Sequence, residues 1–200
     1  MSVITIVRKE TTCAIAADSL SCDGSRLHSR EYSRNDSKIV RLGEHCFGLV
    51  GYTAHSLVFK SLIERYPNKF DLRSKRHIFE SLLALHKVMK EDYFLQSSDE
   101  LSGQPYESSQ MDFCLANSTG IYVIESYREV LEIDRFWAIG SGSNYALGAI
   151  HARYDDESLD AEKLARVGVA AGCAFNAYCG EPIDSFSIAL AIESTNPATV

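Results

Sequence analysis

"SVITIVRKETTCAIAAD", residues 2–18, decides the fold. From Ser2 to Val7 the residues are mostly β-branched and apolar, which predicts a buried or half-buried strand starting at the second residue. "CAIAADS" predicts a second strand that ends at Asp18. Chain ends fray unless something ties them down, so a strand this early needs a structural or chemical cause.

Strand chemistry continues beyond a polar, Ser- and Arg-rich stretch that runs through Asp36. "KIVRL" (38–42) and "CFGLVG" (46–51) read as a hairpin turning at Gly43 and Glu44. The texture then becomes helical. "TAHSLVFKSLIERY" places Thr53 as N-cap, with Leu57, Val58, Leu62 and Ile63 on an amphipathic spacing that stops before Pro67. A second helix is expected from Ser74 to Leu95, with Ile78, Leu82, Leu85 and Met89 on one stripe. After a loop over Ser97–Gln110 come four strand-like pieces, "DFCLANS", "GIYVIES", "EVLEID" and "FWAIG". Helices over 143–154 and 161–179 and a last strand, "SFSIALAIE", close the chain. Blocks of strands and helices, rather than strict alternation, predict an α+β layered domain with two antiparallel sheets between two helical layers. Residues 1–200 are expected to form one domain, because 200 residues with 46% hydrophobic content suit a single core.

Composition excludes several classes. A net charge of -7 argues against a nucleic-acid surface. No run approaches the roughly 20 apolar residues of a membrane span, and no signal peptide is evident. The six cysteines form no CxxC pair and sit mostly in apolar runs, as reduced core thiols do, which predicts a cytoplasmic protein. "AIGSGSNYALGA" carries Gly140, Ser141 and Gly142 between a strand and a helix, but Tyr145 occupies the third glycine position of a dinucleotide turn and only one strand follows. Small residues packing closely at that turn are the expected reading. The six histidines are scattered without HExxH spacing, so neither a metal nor a cofactor is expected.

The first residues hold more chemistry. Met1 precedes a small residue, so methionine aminopeptidase is expected to remove it and leave Ser2 with a free α-amine. An N-terminal Ser or Thr carries its own general base, since the α-amine has a reference pKa of about 7.7–8.0. A lysine nearby lowers that value by like-charge repulsion, and Lys38 opens a strand from a polar loop. Asp18, at a strand end, is placed to pair with it.

Together these residues resemble proteasome β-type subunits and the bacterial proteasome-like protease, in which an N-terminal Thr starts a strand and an Asp follows at the spacing of Asp18 from Ser2. "SKIVRL" is similar to the family's lysine strand, "GLVGYTA" to its oxyanion turn, "AIGSGSNYALGA" to its Gly-Ser-Gly segment, and "FNAYCGEPID" to its run before the final strand. The matches occur in family order over nearly the whole chain. The resemblance implies the four-layer αββα sandwich of N-terminal nucleophile hydrolases. It also implies a nucleophile at Ser2, an amine-tuning Lys38 oriented by Asp18, an oxyanion donor at Gly51, and Ser141 hydrogen-bonding near the Ser2 amine. It further implies peptide or protein substrates and self-association into a ring; an ATPase partner does not follow from the residues.

Three positions depart from the pattern. Ser2 replaces Thr and lacks the methyl that restrains χ1, which predicts slower chemistry. Asn176 stands where the family has a supporting Asp, and Cys179 where it has Ser. The segment between Asp18 and Lys38 is also longer than in the bacterial protease. An amide hydrolase, a catalytically silent subunit of the same fold that serves assembly or binding, and a thiol hydrolase using one of the cysteines are the three readings.

Overall fold

The computed structural model describes residues 2–34, 37–97 and 105–191. Met1, the tip of the polar stretch at 35–36, part of the 97–110 loop and the last residues of the expected final strand lie outside them.

The opening stretch forms two antiparallel strands, β1 (Ile4–Lys9) and β2 (Thr12–Asp18). Then follow β3 (Ser21–Asp23), β4 (Arg26–His28), β5 (Ile39–Leu42) and β6 (His45–Val50). After α1 (Thr53–Arg65) and α2 (Lys75–Asp92) come β7 (Asp112–Asn117), β8 (Gly120–Ile124), β9 (Val130–Ile133) and β10 (Phe136–Ile139). The remaining elements are α3 (Ser143–Arg153), α4 (Ala161–Phe175) and β11 (Ile183–Ala189). One sheet has the order β10-β1-β2-β11 and the other β5-β6-β7-β8-β9. All their pairings are antiparallel.

The period of two along each strand divides the core into three layers. Ile4, Ile6, Cys13 and Ile15 point between the sheets, against Cys46, Cys114, Ala116 and Val123. Val3, Val7, Ala14 and Ala16 face α3 and α4. Phe47, Phe113 and Leu115 face α1 and α2 through Phe59, Leu62, Ile78, Leu82, Leu85 and Met89. The result is the expected α+β sandwich in four layers, αββα. Among the described residues no helix is long and apolar enough to cross a membrane.

Local corrections have local causes. Thr53 is the first helical residue of α1, not its cap; Tyr52 precedes it without a side-chain capping bond. Leu57 faces outward, and His55, Phe59 and Leu62 are the residues α1 buries. The second helix stops at Asp92, because Phe94 takes φ +56° and the Leu95 amide turns back to donate to the Met89 carbonyl. The polar stretch after Asp18 holds the β3–β4 hairpin, whose three-residue strands carry no apolar alternation to announce them. The helix expected to reach Cys179 ends at Phe175, with Asn176 as its C-cap and the Asn176 amide bonded to the Gly172 carbonyl.

Candidate active site

The end of β2 turns the Asp18 side chain back into the protein, where it is fully buried. Its Oδ1 accepts from the Val3 amide at 3.0 Å and from Lys38 Nζ at 2.7 Å. Its Oδ2 accepts from the amides of Leu20 at 3.2 Å and Gly180 at 3.0 Å. A buried charge is tolerable when its acceptor sites are filled in this way. Topology explains the set: β2 lies between β1 and β11, so one carboxylate reaches the residue after Ser2 on one side and the approach to β11 on the other.

Lys38, just ahead of β5, donates to Asp18 and to the Leu20 carbonyl at 2.6 Å. Lys38 also lines the cleft that Ser2 opens onto. The neighbouring wall is braced separately. Arg30 forms a two-pronged ion pair with Asp184, and Ser37 Oγ donates to the same carboxylate at 2.7 Å. Burial works against the charge of Asp184, yet the hydrogen bonds from Arg30 and Ser37 hold its carboxyl below the usual carboxylate range.

Ser2 is 5% exposed. Its carbonyl oxygen accepts from the Gly142 amide at 3.2 Å and from Ser141 Oγ at 3.4 Å. Gly140 makes room for that carbonyl: it holds φ +93°, and a Cβ there would lie 2.2 Å from the Ser2 oxygen. Ser141 Oγ also lies 3.3 Å from Asn176 Oδ1 and 3.9 Å from Cys179 Sγ. Asn176 Nδ2 donates to the Ser141 carbonyl at 2.8 Å, which closes a ring of bonds around the start of α3.

Gly51, at the exit of β6, lines the same cleft as Ser2, Lys38 and Ser141, a space of about 930 Å³. The fold thus brings Ser2, Asp18, Lys38, Ser141, Asn176 and Cys179 into one cluster, with Gly51 on the wall of the cleft that opens onto it. Sequence reading missed Gly180 and Leu20, whose backbone amides carry no side-chain signal. It also missed Gly140 as a site residue, although a glycine directly after a strand was the signal available. Cys22, on the short β3, lines the cleft as well.

The thiols near the cluster are poor nucleophiles. Burial, reinforced by Asp18, pushes Cys179 up to about 11 and Cys173 up to about 12, so both remain protonated near neutral pH. Cys179 packs instead against Gly142, where an added Cβ would meet its Sγ at 3.0 Å.

The sequence profile described as "Proteasome subunit" matches residues 2–181, and the chain belongs to that family. Its fold is that of the N-terminal nucleophile hydrolases. The "ATP-dependent protease subunit HslV" of Caldicellulosiruptor saccharolyticus is 25% identical over 166 residues, covering 82% of this chain and 85% of that protein. Thiobacillus denitrificans BPH superposes with a TM-score of 0.88 at 39% identity, over 94% of this chain and 98% of that one, and has also been solved in complex with epoxomicin. Trypanosoma brucei HslV, at 22% identity, a TM-score of 0.69 and coverage of 94% and 99%, shares the fold.

Proposed function

We propose that this member of the proteasome subunit family is an N-terminal serine hydrolase that cleaves peptide or other amide bonds with Ser2 once Met1 is removed. The whole chain acts as one domain within a homo-oligomeric ring. The observation that carries the reading is the buried Asp18–Lys38 pair beside Ser2, facing an open cleft. Such a pair has no structural necessity, since apolar residues fill a core at lower desolvation cost.

The chemistry follows from the positions. The Ser2 hydroxyl attacks the substrate carbonyl carbon while its proton passes to the Ser2 α-amine. The positive charge of Lys38 disfavours protonation of that amine before the attack, and Asp18 keeps the ammonium in place. The Gly51 amide stabilises the oxyanion; one such donor is worth about 3 kcal/mol. Collapse breaks the C–N bond, the α-amine hands its proton to the leaving amine, and an ester on Ser2 remains. Water, deprotonated by the same amine, hydrolyses the ester and restores Ser2.

The bond ring through Ser141 and Asn176 supports an active site rather than a silent one: the amide of Asn176 keeps the hydrogen-bonding frame without the family's carboxylate. The epoxomicin complex of the Thiobacillus denitrificans relative supports a ligand-accepting cleft here. The designation of the HslV relatives as ATP-dependent protease subunits supports an ATP-consuming partner.

The test is amide-substrate turnover in wild type, Ser2→Ala and Ser2→Thr. Ser2→Ala loses all turnover, and Ser2→Thr matches or exceeds wild type. Turnover surviving in Ser2→Ala but blocked by alkylation transfers the chemistry to a thiol, with Cys22 first in line. A Ser2→Ala protein that keeps its full biological effect marks a scaffold.

A further inference from the structure

Gly51 is the residue at which the chain leaves β6 and turns into α1, and its φ of +127° strains any residue with a side chain. A Cβ on Gly51 would lie 2.9 Å from Nδ1 of His55 and 3.6 Å from the Gln110 carbonyl oxygen. The Cα hydrogen that occupies this direction therefore faces the imidazole. His55 is 9% exposed, and its Nδ1 has no hydrogen-bond partner among the described residues. The His55 amide donates to the Tyr52 carbonyl at 2.9 Å, and the Tyr52 ring meets the imidazole edge-on with centroids 5.6 Å apart. Most buried ring nitrogens have a partner, so an orphan pressed against a cleft-lining turn needs a reason.

We propose that His55 is a positioning residue for the Gly51 amide: the neutral imidazole fills the space beneath the turn and fixes the backbone that presents the oxyanion donor. This rests on the reading of the Ser2 site as a hydrolase. Neutrality is part of the fit. The imidazolium carries an N–H on both ring nitrogens, whereas the neutral ring can leave Nδ1 bare; an N–H forced onto Nδ1 would press against the Gly51 Cα hydrogen, which offers it no acceptor. Burial alone holds His55 below the ordinary imidazole value. The Tyr52 ring ahead of its own helix faces it, and no carboxylate or cation among the described residues contributes to the shift. Acidification below the ordinary imidazole range therefore disturbs the turn, and neutral pH restores it.

The experiment measures kcat and KM from about pH 5 to 8 for wild type, His55→Ala and His55→Asn, with thermal unfolding as a check on folding. His55→Ala is expected to lose about 10- to 100-fold in kcat, less than removal of the donor itself, with KM changing little. His55→Asn, which keeps a polar atom near the Nδ1 position, recovers most of that loss, and its acid limb is less steep than that of wild type because only the Ser2 α-amine still sets it. A folded His55→Ala protein with wild-type kcat and pH profile overturns the proposal. If turnover is absent or survives Ser2→Ala, the hydrolase reading has failed instead, and crystal structures of wild type and His55→Ala then decide. A Gly51 φ that moves in the variant supports the positioning role, and an unchanged turn overturns it.

Discussion

Beneath α1 and α2, the five-stranded sheet presents Phe47, Phe113 and Leu115, and the rings of Phe47, Phe59 and Phe113 meet with centroids 4.9 to 6.2 Å apart. Beneath α3 and α4, the four-stranded sheet presents Ala14, Ala16 and Val7 to Ala146, Ala165 and Val169, and α4 approaches through Gly168 and Gly172. A Cβ on Gly172 would stand 2.8 Å from a Val3 methyl, and one on Gly168 would stand 3.0 Å from the methyl of Thr5, whose hydroxyl donates to the Ala165 carbonyl. Large rings fill volume and tolerate small adjustments, whereas backbones in near contact fix distances. The proposed nucleophile lies on the tight side: β1 carries Ser2 at its entrance, and the end of α4 carries Asn176 and the approach to Cys179. The looser side contributes Lys38 from the approach to β5 and Gly51 from the strand that precedes α1.

This contrast can be broken in order of effect on turnover. Lys38→Ala should lower kcat by about 10²- to 10⁴-fold in a protein that still folds, because Asp18 retains three backbone donors; steady-state kinetics with a thermal melt checks both halves. Unchanged turnover would end its assignment. Gly140→Ala is next: its Cβ collides with the Ser2 carbonyl, and displacing the proposed nucleophile by about an ångström should cost about 10²-fold, read as kcat/KM. Gly172→Ala pushes α4 away from Val3; we expect about 1–3 kcal/mol of destabilisation by denaturant titration and a measurable loss of kcat in the folded fraction. Phe113→Ala sharpens the comparison from the other side. It should cost about 3–5 kcal/mol of stability yet leave kcat of the folded protein unchanged. If Phe113→Ala slowed catalysis as much as Gly172→Ala, the two faces would not differ in the way described here.

Much of this was legible in the sequence, for physical reasons that differ by element. β1 and β2 read as strands because both faces of that sheet are buried, so mostly apolar residues run along them and β-branched types mark the first. The stripe Ile78, Leu82, Leu85 and Met89 is the buried face of α2, as its spacing predicts. Its end was set too late because Tyr93 and Leu95 are apolar and pack on the same core after the helix has stopped. The β3–β4 hairpin left no pattern because its residues face solvent and the cleft. In the site, residues that act through side chains were recognisable. Leu20 and Gly180, which hold Asp18 through their amides, were not, because any residue supplies an amide. His55 looked like one of six scattered histidines, since only the turn above it gives its position meaning.

The most direct test of the account is the intact mass of the untagged protein purified from its own type of cell, read before any activity assay. A mass corresponding to the chain without Met1 gives Ser2 the free α-amine on which the whole mechanism depends, and the account predicts that result. A mass retaining Met1 would leave Ser2 acylated by the preceding residue, with no base beside its hydroxyl, and would contradict it.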